Sequence, residues 1–442
     1  MPEHKEFVQI SEILGGGYEG RDIYLRGWIY RTRSSGKIVF ATIRDSSGTI
    51  QIIIERENIA EEQFQDAKKA LIESAIILKG NVRKDARAPG GYEIGVSELQ
   101  VINFAEKFPI TRDQSEEWLR ENRHLWLRSK KLTSIMRIRS TVTGAIHKFF
   151  RDRGYYEFTP PILQPSACEG GATLFEVKYF DDVTYLSQSW QLYAEAAIFA
   201  LEKVYDVAPT FRAEKSKTSR HLTEFWMAEM EVAWQGYREV TEIAKDEIKF
   251  ILTEVLKLNR TDLEILGSNI SNFETMLEKP WPTITYTEAL DILTKKSGID
   301  IPWGKDLRTI EEDELMKHFE TPVVVIQYPK EIMAFYKPVE DEEDTDAPGP
   351  VARCFDMLAP SGYGELVGGS ERDTNVKSLM DALEAEGENI ANYDWYLDLR
   401  RYGSVQHSGY GVGVERLISW ICNLDNIKDS IPFPRTLTRF KP

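Results

Sequence analysis

The chain has 442 residues, 42% of them hydrophobic and 29% charged, enough for two or three domains that each bury a core. Its net charge of −16 excludes a protein that coats nucleic acid nonspecifically, because such binding depends on Lys and Arg neutralising phosphates; local patches that recognise one folded RNA remain compatible with it. No apolar run is long enough to cross a bilayer, the first thirty residues lack a basic start followed by an apolar stretch, and Cys168, Cys354 and Cys422 show neither disulfide nor metal spacing, so a cytoplasmic chain without membrane attachment is expected.

Residues 21 to 104 read as five β segments with a helix after the third: Arg21–Arg31, Lys37–Arg44, Thr49–Ile54, a helix near Ala60–Ile72, then Ala75–Val82 and Tyr92–Phe104. That order predicts an OB β-barrel over residues 1–105. Asp45-Ser46-Ser47-Gly48 supplies a hairpin turn, and Pro89-Gly90-Gly91 breaks the chain before the last strand. The charged, Trp-bearing stretch Asp113–Ser129 reads as a helical hinge, within a linker spanning 106–129.

From Lys130 to the end, long helices alternate with short strands, which predicts an α+β domain over 130–442. No GxGxxG follows a strand and no GxxxxGK[ST] occurs, so neither Rossmann nor P-loop nucleotide binding is supported. Residues around 236–320 read as a helical insertion without catalytic groupings, and the acidic run Val339–Pro350 as a solvated loop.

Three segments of this second region carry chemistry. A long helix from about Thr133 to Arg153 runs into Gly154–Pro160, a commonplace arrangement by itself. Phe211-Arg212-Ala213-Glu214 is followed by the loop Lys215–Ser219 and by Arg220-His221-Leu222-Thr223-Glu224-Phe225. An Arg ending one strand can neutralise a phosphate where charge grows during attack, and an aromatic on the returning strand offers its face to a base. Near the end, Gly409-Tyr410-Gly411-Val412-Gly413 precedes Glu415-Arg416; alternate glycines clear one face of a strand for a planar ring.

In their order and spacing the three segments resemble the signature motifs of class II aminoacyl-tRNA synthetases. The resemblance implies a catalytic antiparallel sheet flanked by helices, and ATP contacts from Arg212, Glu214, Arg220, His221, Leu222, Phe225, Glu365, Gly411, Gly413 and Arg416. Arg212, Glu214 and Arg416 take the catalytic places, and Asp356 with Glu365 resembles the acidic pair that holds magnesium on the phosphates. It also implies a homodimer packed through the Thr133–Pro160 region.

An N-terminal barrel narrows the resemblance to the subclass of asparaginyl, aspartyl and lysyl enzymes. Phe40 and Gln51 then match positions that stack on and hydrogen-bond to anticodon bases, and Glu169-Gly170-Gly171 matches a loop that closes over the amino acid. Gln191 and Glu195 lie four apart on one helical face. Aspartyl members have Lys-Gln where this chain has Ala194-Glu195. Losing a cation and gaining an acceptor suits a neutral amide, with Glu195 accepting from the asparagine NH₂ and Arg372 donating to its oxygen. Trp190 departs from the Pro or Gln common in the family. The expectation is activation of asparagine with ATP and its transfer to the 3′ end of tRNA(Asn). Rivals are an aspartyl or non-discriminating enzyme, an asparagine-forming ligase built on the same domain, and a non-catalytic RNA-binding paralogue.

Overall fold

Alternation of apolar and polar residues builds the first unit, Met1–Gln114. The computed structural model describes residues 6–168, 173–215, 218 and 220–441. After the short helix α1 (Ile10–Leu14), strands β1 (Asp22–Ser35), β2 (Ile38–Arg44), β3 (Thr49–Glu55), β4 (Ala75–Lys84) and β5 (Tyr92–Asn103) close into a barrel in the order β1-β2-β3-β5-β4. Val39, Ala41 and Ile43 of β2 and Ile50, Ile52 and Ile54 of β3 point inward and are buried, so their neighbours Phe40 and Gln51 point outward. Helix α2 (Glu61–Lys69) buries Phe64 and Ala67. The strands and helix expected from sequence agree with these bounds to within a few residues.

The second unit is Ser115–Pro442. It begins earlier than the expected boundary at Lys130, because α3 (Glu116–Glu121) and α4 (Arg123–Trp126) are tied into it. Arg123 is fully buried and donates to the carbonyls of Ile431 (2.8 Å) and Pro432 (2.9 Å) and to Asp429 (3.3 Å). The span expected as a hinge is therefore folded structure from Ser115 onward.

Helix α5 (Lys130–Arg151) starts at Ser129, whose side chain accepts from the Leu132 amide. Its buried stripe (Leu132, Ile135, Ile138, Val142, Phe149) packs on α7 (Tyr237–Leu258). Between them in sequence come β6 (Tyr156–Glu157), β7 (Leu163–Gln164), β8 (Glu176–Tyr179), β9 (Asp182–Leu186), α6 (Gln191–Leu201), β10 (Lys203–Phe211) and β11 (Glu224–Ala233). Helices α8 (Arg260–Leu266) and α9 (Ile270–Glu278), β12 (Thr283–Thr285), α10 (Tyr286–Ile292), α11 (Thr309–Met316), β13 (Val323–Ile326), β14 (Cys354–Ala359), β15 (Gly364–Glu371), α12 (Val376–Glu386), α13 (Asp394–Arg401), β16 (His407–Gly413) and α14 (Val414–Ile421) complete the unit.

Eight strands form one sheet in the order β12-β13-β14-β15-β16-β11-β10-β6, antiparallel except at its two outer pairs. Strands β7, β9 and β8 form a separate small sheet. The span 236–320 is not a simple insertion. Helix α7 buries Val240, Ala244, Ile248, Ile251 and Val255 beneath the sheet, and β12 is the sheet's edge strand. The apolar stripe of α7 demands that cover.

Candidate active site

The hairpin β10–β11 pairs Phe211 with Glu224 and Thr210 with Phe225, which sets Arg212 and Phe225 side by side at its loop end. The Arg212 amide donates to Thr223 O (3.1 Å), and its guanidinium stands 5.6 Å from the centre of the Phe225 ring. The strand end is held from behind by buried Glu415, which accepts from the Trp226 amide at 2.8 Å and pairs with Arg139 of α5 at 2.7 Å.

Arg212, Glu214, Arg220, His221, Leu222, Phe225, Glu365, Gly411, Gly413 and Arg416, the residues expected to contact ATP, all line one pocket of about 130 Å³, together with Met227, Leu366, Glu415 and Ile427. The glycines of β16 act differently from the expectation of a bare strand face. A Cβ on Gly411 would lie 2.5 Å from Met227 Cε, and one on Gly409 would lie 2.0 Å from Glu231 Oε2, so side chains of β11 already fill that face. Only Gly413 is more open, with Arg416 Cβ at 3.7 Å.

The far end of the pocket alternates charge. Arg416 donates to the carbonyl of Glu365 and lies 3.8 Å from its carboxylate. His221 sits 3.7 Å from Glu214. Burial, and then the cations Arg416, Arg212 and Arg220, hold the imidazole below its ordinary range and favour a neutral ring, although the Glu214 carboxylate pulls the other way. Asp356 and Glu365 belong to neighbouring strands and converge over Gly368, where a Cβ would lie 2.7 Å from Glu365 Oε1 and 3.4 Å from Asp356 Oδ1. Burial first, then the Glu365 carboxylate, pushes the Asp356 carboxyl up. Two hard oxygen donors over a position with room only for glycine fit a divalent cation. The one group of three converging acids among the described residues, Glu340, Asp341 and Asp344, lies elsewhere, and Arg353 pairs with both Glu340 and Asp341.

Of the residues expected around the amino acid, Glu169 lies outside the described residues. Gln191 donates to Glu195 at 3.0 Å. Glu195 is fully buried and also receives Tyr396 OH (2.9 Å), the Arg400 guanidinium and His407 Nε2 (3.1 Å). Burial alone would raise its carboxyl, but Arg400 and His407 outweigh that and hold it below the usual range. The expectation of an open acceptor at Glu195 is thus corrected: its lone pairs are taken by protein donors. Arg372 is not among those donors. Its Nη2 and Nε contact Glu231 Oε2 (2.8 Å) and Oε1 (3.0 Å), Nη1 donates to Ser370 Oγ (2.7 Å), and the guanidinium lies 5.3 Å from the Tyr336 ring centre.

Sequence reasoning missed Glu231. The available signal was Glu229 and Glu231 on alternate positions of the otherwise apolar run 225–233, where an acid must have a partner to be buried. Glu229 accepts from Ser189 Oγ (2.6 Å) and the Trp190 amide (3.0 Å). Trp190 itself is buried, with its indole N–H on Phe158 O, so its departure from the family pattern is a packing feature. Phe225, Met227, Glu229 and Glu231 therefore lie along one face of β11, leading from the pocket to Arg372.

On the barrel, Phe40 and Gln51 share the outer face of β2 and β3. Arg33 stacks on Phe40 at 4.8 Å, and Gln51 Nε2 donates to Glu93 Oε2 at 3.0 Å, which adds Glu93 to that face.

A closed five-stranded barrel, and a mainly antiparallel sheet whose hairpin arginine, aromatic and glycine strand meet at one pocket, define a class II aminoacyl-tRNA synthetase. Residues 115–437 match the model of class II tRNA synthetases for D, K and N, and residues 23–102 match that of the OB-fold nucleic acid binding domain. The chain belongs to this class II D, K and N synthetase family. It is 46% identical to the asparagine–tRNA ligase of Thermococcus gammatolerans (96% of this chain, 97% of the relative) and 43% identical to that of Thermoplasma acidophilum (98% and 100%). The asparaginyl-tRNA synthetase of Pyrococcus horikoshii, solved with asparaginyl-adenylate, superposes with a TM-score of 0.93 at 43% identity, covering 99% of this chain and all of that one.

Proposed function

We infer that this enzyme activates asparagine with ATP and transfers the asparaginyl group to the 3′ end of tRNA(Asn). The observation that carries the reading is the single face of β11. It holds Phe225 and Met227 at the ATP pocket and Glu231 at Arg372, so one strand aligns the nucleotide with the amino acid. The near-full-length likeness to asparagine–tRNA ligases supports asparagine over the aspartyl rival, and the full set of pocket residues disfavours a non-catalytic paralogue.

In this reading the adenine stacks on Phe225, and Arg212 neutralises the α-phosphate while the asparagine carboxylate attacks phosphorus in line and pyrophosphate leaves. No protein nucleophile is needed. Arg416, Arg220 and His221 meet the outer phosphates, with Glu214 oriented beside His221. Asp356 and Glu365 would hold magnesium, which when bound supplies positive charge to the phosphate oxygens. Arg372 donates to the side-chain oxygen of asparagine, and Glu231 replaces Glu195 as the acceptor for its NH₂ group.

Phe40, Gln51 and Glu93 form the anticodon-reading face. A homodimer fits the free edge at β6 and the exposed apolar side chains of Tyr156, Ile162, Leu163 and Phe180. The cytoplasm suits three buried cysteines that form no disulfide, and no helix among the described residues is long and apolar enough to cross a membrane. Amino-acid-dependent ATP–pyrophosphate exchange with asparagine and aspartate in parallel tests the reading; exchange that favours aspartate overturns it.

A further inference from the structure

Helix α11 lies in the stretch to which sequence patterns assign no role, yet it reaches the phosphate end of the pocket. Asp313 Oδ2 accepts from Arg220 Nη2 at 2.8 Å. Arg220 borders two cavities, the ATP pocket and a neighbouring chamber of about 200 Å³ lined also by Ser361, Tyr363, Ser419 and Asp425; Arg416 borders both as well. The turn between β14 and β15 closes on the same guanidinium. Gly362 and Gly364 have φ of 83° and 69°, conformations that favour glycine, and Cβ atoms there would stand 3.6 Å from Arg220 Nη2 and 3.7 Å from Nη1. The Gly362 position is also 3.7 Å from Asp313 Oδ1, so the arginine sits between the helix and the turn.

The pair is about one-third exposed on each side, so its Coulomb energy contributes little to folding. Its value is geometric. A long, rotamer-rich side chain at a cavity mouth must be ordered before it can meet a phosphate, and a carboxylate on one edge of the planar fork fixes its orientation while other N–H groups remain for an anion. Arg416 has a comparable holder in Glu365, which receives its Nη1 through the backbone carbonyl.

We propose that Asp313 is a positioning residue for Arg220, holding its guanidinium on the partition between the two cavities to bind the outer phosphates of ATP and, after adenylate formation, pyrophosphate. This rests on reading the first cavity as the ATP site. The test compares wild type with Asp313→Asn and Asp313→Glu for the KM of ATP in the forward reaction, the KM of pyrophosphate in the reverse reaction, and the Kd of asparaginyl sulfamoyl-adenosine, which lacks the outer phosphates. Asp313→Asn is expected to raise both KM values roughly tenfold, as loss of one oriented charge-assisted contact implies, and to leave binding of the analogue unchanged. Asp313→Glu, which keeps the charge, is expected to recover most of the loss. Unchanged KM values in Asp313→Asn overturn the proposal, as does equal weakening of the analogue, which marks a purely structural role. If wild type itself fails to bind ATP, the reading of the pocket is what fails.

Discussion

Arg372 and Glu231 face each other through three N–H···O contacts, Nη2 to Oε2 at 2.8 Å, Nε to Oε1 at 3.0 Å and Nε to Oε2 at 3.3 Å, with both side chains closed off from solvent. The pair offers a ligand one donor edge and one acceptor edge at no net charge. Asparagine matches both edges with its carbonyl and NH₂, whereas aspartate sets a second carboxylate against Glu231. Sites built on such polar partners discriminate by roughly 10⁴-fold. Glu231→Gln is expected to lower kcat/KM for asparagine by about 100-fold or more and to narrow the asparagine-to-aspartate ratio. A variant that keeps the wild-type ratio shows that Glu231 is not the discriminator.

Glu195 presents the opposite case. With Arg400 and His407 against it and no exposure, it ties α6 to α13 and β16. Glu195→Gln removes the charge that compensates buried Arg400, and breaking one side of a buried pair costs roughly 3–5 kcal/mol. Thermal unfolding should show that loss, while the surviving folded enzyme keeps its preference for asparagine over aspartate. A stable variant with altered preference returns the specificity role to Glu195.

Arg212→Ala is expected to cost roughly 10²–10³ in the rate of adenylate formation, the scale seen when one preorganised donor to a developing charge is lost. Circular dichroism should be unchanged, because the Arg212 side chain lies at the pocket rather than in the core. Pyrophosphate exchange near the wild-type rate would falsify the assignment.

Phe40→Ala removes an outward aromatic held under Arg33. Base stacking is worth roughly 1–3 kcal/mol, so tRNA charging should weaken by roughly five- to 150-fold in kcat/KM. Asparagine-dependent pyrophosphate exchange without tRNA should not move. Parallel loss of both activities assigns Phe40 to barrel stability.

Glu247 of α7 predicts a pH effect. It is fully buried beneath β16, its Oε2 accepts from Tyr410 OH at 2.7 Å, and its Oε1 has no hydrogen-bond partner. Burial pushes its carboxyl up to about 8, moderated by Tyr410 and Arg153, with Tyr155 the other titratable group nearby. A folded-state value above the unfolded one means that the native protein binds the extra proton. The contribution is then complete below about 4.5 and is lost as pH rises toward 8, with a limiting slope of roughly 1.4 kcal/mol per pH unit. Glu247→Gln should abolish that decline, so the wild-type and variant denaturation midpoints diverge between about pH 5 and 8. Parallel profiles sink the prediction.

Local pattern made the barrel legible, whereas the residues of the pocket were legible only through the resemblance of three separated segments to family motifs. Val39, Ala41 and Ile43 against Ile50, Ile52 and Ile54 state the inward face of two strands without outside information, and Arg212 and Phe225 stand at the loop end of one hairpin. Pairings across the chain were not legible. Arg372 meets a partner 141 residues away, and apart from Gln191 the donors to Glu195 lie more than 200 residues away, so sequence near Glu195 does not show how fully the acceptor is occupied. Helix α7 carries a visible apolar stripe, but which surface covers it depends on strands from both earlier and later in the chain.

Gly409 lies close against both the Glu231 side chain and the backbone of β11. A methyl group at 409 would meet both Glu231 Oε2 at 2.0 Å and the Met230 carbonyl at 2.3 Å, so the backbone of β11 by itself forbids a side chain there, whatever residue stands at 231. Shortening Glu231 relieves the first collision and leaves the second, which is with backbone. Any redesign of this sheet therefore keeps Gly409 fixed against the backbone of β11, whereas Gly411 meets only side chains and Gly413 has Arg416 Cβ no nearer than 3.7 Å.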